Sequence, residues 1–246
     1  MDILISEEKG VRQLHFGSEW VQGAMRISRP YDLELEYTRE MMLPLVLQDP
    51  RNGPRKALCI GLGVGAIPKF LHRHWPNSSI TVVEIEPAVV LAAQAHFKLP
   101  PMTPNFQVEI GCGAAYLAKQ ERQFDLIVVD GFDAKAKVGP LNSLEFYQHA
   151  RAALGNTGCM VVNILSRQKD TEPGKQRLRQ AFDGQAVVLP PCGSGNVVAL
   201  ASGGAKFEHH LDTLKANAQA LQAQTGLNLM NSVVKFHNAL VSQSVA

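Results

Sequence analysis

No run of about 18 consecutive apolar residues occurs in the chain of 246, so no membrane-spanning helix is expected. Net charge is also nearly absent. The 24 lysines and arginines against 22 aspartates and glutamates leave +2. No basic run concentrates that charge, which argues against a dedicated nucleic-acid binder. Cysteine is scarce, and Cys59, Cys112, Cys159 and Cys192 contain no Cys-x-x-Cys pair. Three of the four sit in or beside apolar runs, where a thiol acts as a small hydrophobe. They read as reduced and mostly buried in a cytoplasmic protein. The first residues show no basic stretch followed by an apolar one, so no signal peptide is expected. Internal repeats and low-complexity segments are missing too. His72 and His74 lie two apart in a helical stretch and point to different faces, so no metal pair is expected.

What remains is an ordinary globular composition, 46% hydrophobic and 19% charged. It excludes a disordered chain. The length suffices to bury a full core without a disulfide or metal.

Residues 3–16 read as two short strands around a Glu-Lys-Gly turn, and 20–27 as a third. Pro30 opens a predicted helix reaching about Leu47, with Leu33, Leu35, Met41, Met42 and Leu45 near helical spacing. The segment 49–54, rich in proline and glycine, marks a linker. It divides a small N-terminal unit, 1–48, from a second unit, 55–246. Strands are then predicted at 57–60, 80–84, 106–110, 124–129 and 158–165, with helices at 66–75, 87–97 and 143–154. Such alternation predicts an α/β fold: a mostly parallel, Rossmann-like sheet with helices on both faces. Strands at 185–189 and 196–201 are too close for a helical crossover and should pair antiparallel, completing seven strands. One or two polar helices are expected over 205–241.

Three segments carry chemistry. Ile60-Gly61-Leu62-Gly63-Val64-Gly65-Ala66 follows an apolar strand and opens a helix. A nucleotide-type ligand docks at such a junction in open α/β sheets. Glu84 ends the next strand, where an acid can accept both ribose hydroxyls of an adenosine. Asp130-Gly131-Phe132-Asp133 leaves the fourth strand on the same edge. Its carboxylates can bind a substrate amine and take its proton, or merely hold a turn. The glycine spacing is G-x-G-x-G, with Pro68 where a dinucleotide fingerprint carries its third glycine. With the closing antiparallel pair, this favours an S-adenosylmethionine-type fold over an NAD site.

From about residue 17 to 203 the chain resembles the spermidine synthase family of aminopropyltransferases. The likeness rests on Gln22 near the end of the N-terminal sheet, Glu36-Tyr37-Thr38-Arg39-Glu40-Met41, the glycine turn, Val83-Glu84-Ile85-Glu86 and Asp130-Gly131-Phe132-Asp133. It continues through Val138-Gly139-Pro140 and Phe146-Tyr147. The resemblance implies a site for decarboxylated S-adenosylmethionine formed by Gln22, Gly61, Gly63, Gly65, Glu84, Cys112 and Gly113. It implies Asp130 as general base, with Asp133 and Tyr37 orienting an acceptor amine. It further implies a homodimer, with no nucleic acid, membrane or metal involved.

Three positions depart from the family. The family carries an aspartate at Val64 that holds the aminopropyl ammonium, an adenine-contacting aspartate at Cys112, and a pocket tyrosine at Cys192. The Tyr-x-Glu spacing is also stretched by one residue. Losing an ionic contact to a buried ammonium costs about 2–5 kcal/mol. Aminopropyl transfer, methyl transfer from S-adenosylmethionine itself, and an inactive nucleoside-binding homologue all stay open. Lys135, Lys137, Arg167, Lys169, Lys175, Arg177 and Arg179 add a mild basic excess, read mainly as solvated surface.

Overall fold

The computed structural model describes residues 2–17, 20–132, 139–166, 170–204, 206–207 and 210–244. Strands β1 (Ile3–Glu8), β2 (Val11–Phe16) and β3 (Val21–Arg26) form an antiparallel sheet. Lys9 and Gly10 connect β1 to β2, both with positive φ (51° and 75°). A two-residue loop of that hand matches the twist of the strands it joins.

The predicted helix from Pro30 to Leu47 does not form as one element. Helix α1 covers only Glu36–Glu40, and a 3-10 turn covers Leu43–Val46. Pro44 lacks the N–H that an α-helix needs and would clash with the carbonyl of Glu40. The apolar pattern still marks burial: Leu33, Met41, Met42 and Leu45 enter the main core, and Leu35 packs against it partly buried.

The second sheet holds seven strands: β4 (Lys56–Ile60), β5 (Ser79–Glu84), β6 (Phe106–Ile110), β7 (Phe124–Val129), β8 (Leu154–Leu165), β9 (Ala186–Val188) and β10 (Asn196–Ser202). Their order is β6-β5-β4-β7-β8-β10-β9. The first five strands run parallel, and β10 is antiparallel to both β8 and β9, as expected. Side chains alternate between two buried faces. Ala57, Cys59, Val82 and Val128 join one core; Leu58, Ile60, Val83 and Val129 join the other. Continuous apolar strands follow from this two-sided burial.

Helices α2 (Ala66–His74) and α3 (Pro87–His96) cover the first face with α7 (Leu211–Thr225) and α8 (Met230–Ser244). The other face is covered by α4 (Gly113–Leu117), α5 (Leu144–Ala153) and α6 (Thr171–Ala181). No helix was expected at α6, where Pro173 and Gly174 interrupt a polar stretch. Pro173 stands in its first turn, where no N–H is needed. Gly174 lies against the Asn142 amide, where a Cβ would collide. Among the described residues, no helix is long and apolar enough to cross a membrane.

Strand β4 lies between β5 and β7, so the winding reverses on either side of it. A crevice opens at such a reversal, beyond the carboxyl ends of the strands. Gly61 follows β4, Glu84 ends β5 and Asp130 follows β7.

Candidate active site

The glycine turn owes its course to backbone conformations that side chains rarely adopt. Gly61, Gly63 and Gly65 have φ of 92°, 52° and 69°. A Cβ on Gly61 would run into the backbone oxygen of Asp130. That contact ties the turn to the loop after β7, because the Asp130 N–H also donates to the Ile60 carbonyl at 2.9 Å. Glu84 is buried and fixes the same turn from the neighbouring strand. Its Oε2 accepts from the Leu62 N–H at 2.8 Å, and its Oε1 from the Glu86 N–H at 2.9 Å. Each oxygen keeps a further lone pair for a ligand hydroxyl.

Asp130 is the centre of the polar network. Tyr37 Oη donates to its Oδ2 at 3.1 Å, and Asn163 Nδ2 donates to its Oδ1 at 2.8 Å. Burial pushes the Asp130 carboxyl above its ordinary value, and these two donors pull it back. Tyr37 is raised well above the usual phenol, first by burial and then by the charge of Asp130. It therefore stands as a neutral donor at pH 7. Burial, aided by Asp130, also lifts the Cys59 thiol to about 12, which keeps it protonated.

Gln22, Tyr37, Gly61, Gly63, Val64 and Asp130 line one cleft between the N-terminal sheet and the large sheet. Glu84, Gly65, Cys112 and Gly113 stand outside that lining. Gly65 packs against Leu99, and a Cβ on Gly113 would strike Ile60. Cys112 is exposed, unlike the other three cysteines, and precedes α4. The expected second acid of the pair, Asp133, lies outside the described residues, as do Lys135, Lys137, Val138, Arg167 and Lys169.

Two of the basic residues singled out in the sequence are already engaged on α6. Arg177 pairs with Asp170 at 2.7 Å, and Lys175 with Glu172 at 2.6 Å. Val64 is 2% exposed and packs with Leu14, Met25, Ala92 and Phe97. Cys192 is buried too, with its Sγ 3.0 Å from Ser194 Oγ.

Asn163 and Asn196 were not anticipated. A signal existed in the sequence: Asn163 interrupts the apolar run Met160-Val161-Val162-Asn163-Ile164, and a polar amide in a fully buried strand demands partners. Only its neighbours across the sheet show what those partners are.

Comparison with known proteins then places this geometry. The family model described as Spermine/spermidine synthase domain matches residues 35–204. The chain belongs to the spermine/spermidine synthase family. A polyamine aminopropyltransferase of Chromobacterium violaceum is 34% identical over 226 residues, covering 92% of this chain and 85% of the relative. A crystal structure of spermidine synthase in complex with the transition state analogue AdoDATO superposes with a TM-score of 0.70. It covers 98% of this chain and 87% of the other at 21% identity. Human methyltransferase-like protein 13 in complex with SAH gives 0.69, covering 78% and 93% at 23% identity. At these identities the two structures speak to fold: the same sheet occurs under both names.

Proposed function

We propose that this family member is an aminopropyltransferase-type enzyme acting on a small-molecule amine. Decarboxylated S-adenosylmethionine would rest on Gly61, Gly63 and Gly65, with its ribose hydroxyls on Glu84. The residues present fit a nucleoside. Gly61 leaves no space for a side chain, a Cβ on Gly63 would meet only the Gln22 carbonyl oxygen at 3.8 Å, and Glu84 retains free lone pairs beside the turn. Gln22, Cys112 and Gly113 complete the reading on the nucleoside side.

The observation that carries this reading is the half-buried Asp130 carboxylate with Tyr37 on one oxygen and Asn163 on the other. Asp130 accepts the proton of the acceptor ammonium, with Tyr37 and Asp133 orienting that amine. The freed nitrogen lone pair forms a C–N bond to the methylene beside the sulfonium, and the C–S bond breaks. Methylthioadenosine leaves with the electron pair on sulfur. A sulfonium is a good leaving group, so the protein's part is positioning and proton removal. The reading includes a cytoplasmic homodimer, with a small N-terminal unit at 1–48 ahead of a nucleoside-binding unit at 55–246.

One observation favours a second reading, methyl transfer from S-adenosylmethionine itself. Val64 places an isopropyl group where the family resemblance implies an ammonium-holding aspartate. Valine removes that attraction, and it also removes a repulsion against the methionine carboxylate.

Calorimetric titration with S-adenosylmethionine, its decarboxylated form and methylthioadenosine separates the two. Preference for the decarboxylated form, with aminopropylated amines seen by mass spectrometry of a polyamine mixture, supports the first. Preference for S-adenosylmethionine with methylated products supports the second. No binding below about millimolar would sink both. In either case Asp130→Asn should lose roughly a hundred- to ten-thousandfold in kcat/KM while nucleoside affinity holds.

A further inference from the structure

Asn163 lies near the carboxyl end of β8, and Asn196 opens the antiparallel neighbour β10. Both side chains are buried, 3% and 9% exposed. Asn196 Nδ2 donates to Asn163 Oδ1 at 2.9 Å, and Asn163 Nδ2 donates to Asp130 Oδ1 at 2.8 Å. Behind them, Ser194 Oγ donates to Asn196 Oδ1 at 2.7 Å, with Cys192 Sγ 3.0 Å from Ser194 Oγ. Four side chains thus form a line that ends on one carboxylate.

The direction of this line is forced. An ionised carboxylate only accepts, so Asn163 must turn its NH₂ to Asp130. Its carbonyl then faces Asn196, which must present NH₂ in turn. That leaves the Asn196 carbonyl facing Ser194, whose hydroxyl becomes the donor. With the Ser194 proton committed, the Cys192 thiol is left to donate to Ser194 Oγ. Reversing any amide would set two donors or two acceptors against each other in a buried place, which is costly.

We propose that Asn163 is a positioning residue for Asp130, held in its one working orientation by Asn196 and Ser194. The relay aims Oδ1 of Asp130 and leaves its second lone pair to the acceptor amine. It stabilises the ionised form, because a hydrogen bond from Asn163 to a carboxylate is stronger than the same bond to a neutral carboxyl. Among the described residues, the titratable side chains facing Asp130 are Tyr37 from α1 and Cys59 from β4, with Cys192 beyond Tyr37. Tyr37 and Cys59 are neutral at pH 7, so Asn163 and Tyr37 are the donors that hold the charge. This inference rests on the reading of Asp130 as proton acceptor, yet it is measurable without turnover.

The test is the titration of Asp130 itself, followed by ¹³C NMR in protein labelled at aspartate Cγ, with the resonance assigned by its loss in Asp130→Asn. Asn163→Leu should move the midpoint upward, and Asn196→Leu should move it upward by less, although Asn196 does not touch Asp130. Ser194→Ala, in the turn outside the strands, provides the same test by a variant that spares both strands, and it too should move the midpoint upward. At pH 7, kcat/KM should fall roughly ten- to hundredfold in Asn163→Leu, the size of a hydrogen bond to a charge, with nucleoside affinity unchanged. The acid limb of the pH–rate profile should rise with the NMR midpoint. An unmoved midpoint in Asn163→Leu overturns the positioning role. A shift in Asn163→Leu with none in Asn196→Leu or Ser194→Ala overturns the relay. If the midpoints shift but Asp130→Asn remains fully active, the relay stands and the proton-acceptor reading falls.

Discussion

Gly23 and Val64 touch face to face: a Cβ on Gly23 would stand 2.8 Å from Val64 Cγ1. The missing side chain in β3 makes room for the isopropyl group that rises from the glycine turn. Val64 thereby joins Leu14, Met25, Ala92 and Phe97 in a small core beneath the cleft. The N-terminal sheet and the glycine turn are packed as one surface at this point.

Gly23→Ala should therefore disturb the turn from across the cleft. The new methyl must displace Val64, at a cost of about 1–3 kcal/mol in a packed core. Thermal melts should show the loss of stability, and nucleoside affinity should weaken with it, because Val64 is part of the turn. Unchanged affinity with a lowered Tm would show that the turn and the sheet are uncoupled.

Glu84→Gln should weaken nucleoside binding more than its size suggests. Both oxygens of Glu84 accept from backbone N–H groups, Leu62 on one side and Glu86 on the other. A glutamine must turn its NH₂ toward one of them, leaving donor against donor. The expected loss in affinity by calorimetry is roughly tenfold or more, the scale of a buried unsatisfied group.

Lys69 gives a pH signature. Its Nζ is buried and donates to the Phe97 carbonyl at 2.6 Å and toward Met25 Sδ at 3.4 Å. Burial lowers its pKa to about 8, against 10.5 for a free lysine. Between those values the unfolded chain holds a proton that the folded chain has released, so stability rises with pH across this window. The gain is at most about 3 kcal/mol. Denaturant melts of wild type and Lys69→Met should diverge from about pH 8 upward, with wild type gaining. Parallel curves would show that Lys69 titrates normally in the folded protein.

Lys235 on α8 pairs with Glu40 of α1 at 2.6 Å, and Glu40 is 2% exposed. Its other oxygen, Oε2, is buried without a hydrogen bond. Lys235→Met should cost about 3 kcal/mol, largely because it leaves a buried carboxylate unpaired. Glu40→Gln in the same chain should restore part of that loss. A double variant no more stable than Lys235→Met would show that the carboxylate does not carry the cost.

Much of this protein was readable from spacing. The strand at 106–110 and that at 124–129 were placed at their observed bounds, and the closing antiparallel pair followed from the short gap between its strands. Local signals suffice there because apolar strands and capped helices are set by near neighbours. The 30–47 helix failed because Pro44 breaks the hydrogen-bond ladder while the apolar pattern, a burial signal, persists. Helix α6 escaped notice because its stability comes from packing against Asn142 and α5 rather than from its own composition.

The sequence by itself determined the family, the alternating fold, the glycine turn, and the acids Glu84 and Asp130, because each is a residue type at a position along the chain. Tertiary structure decided which groups surround Asp130. Tyr37 lies 93 residues before it and Asn163 33 residues after. It also decided that Val64 faces Gly23 and that two asparagines on neighbouring strands point their amides one way. Such facts depend on sheet order and register, which set distances between residues remote in sequence, and hydrogen bonds form only over those distances.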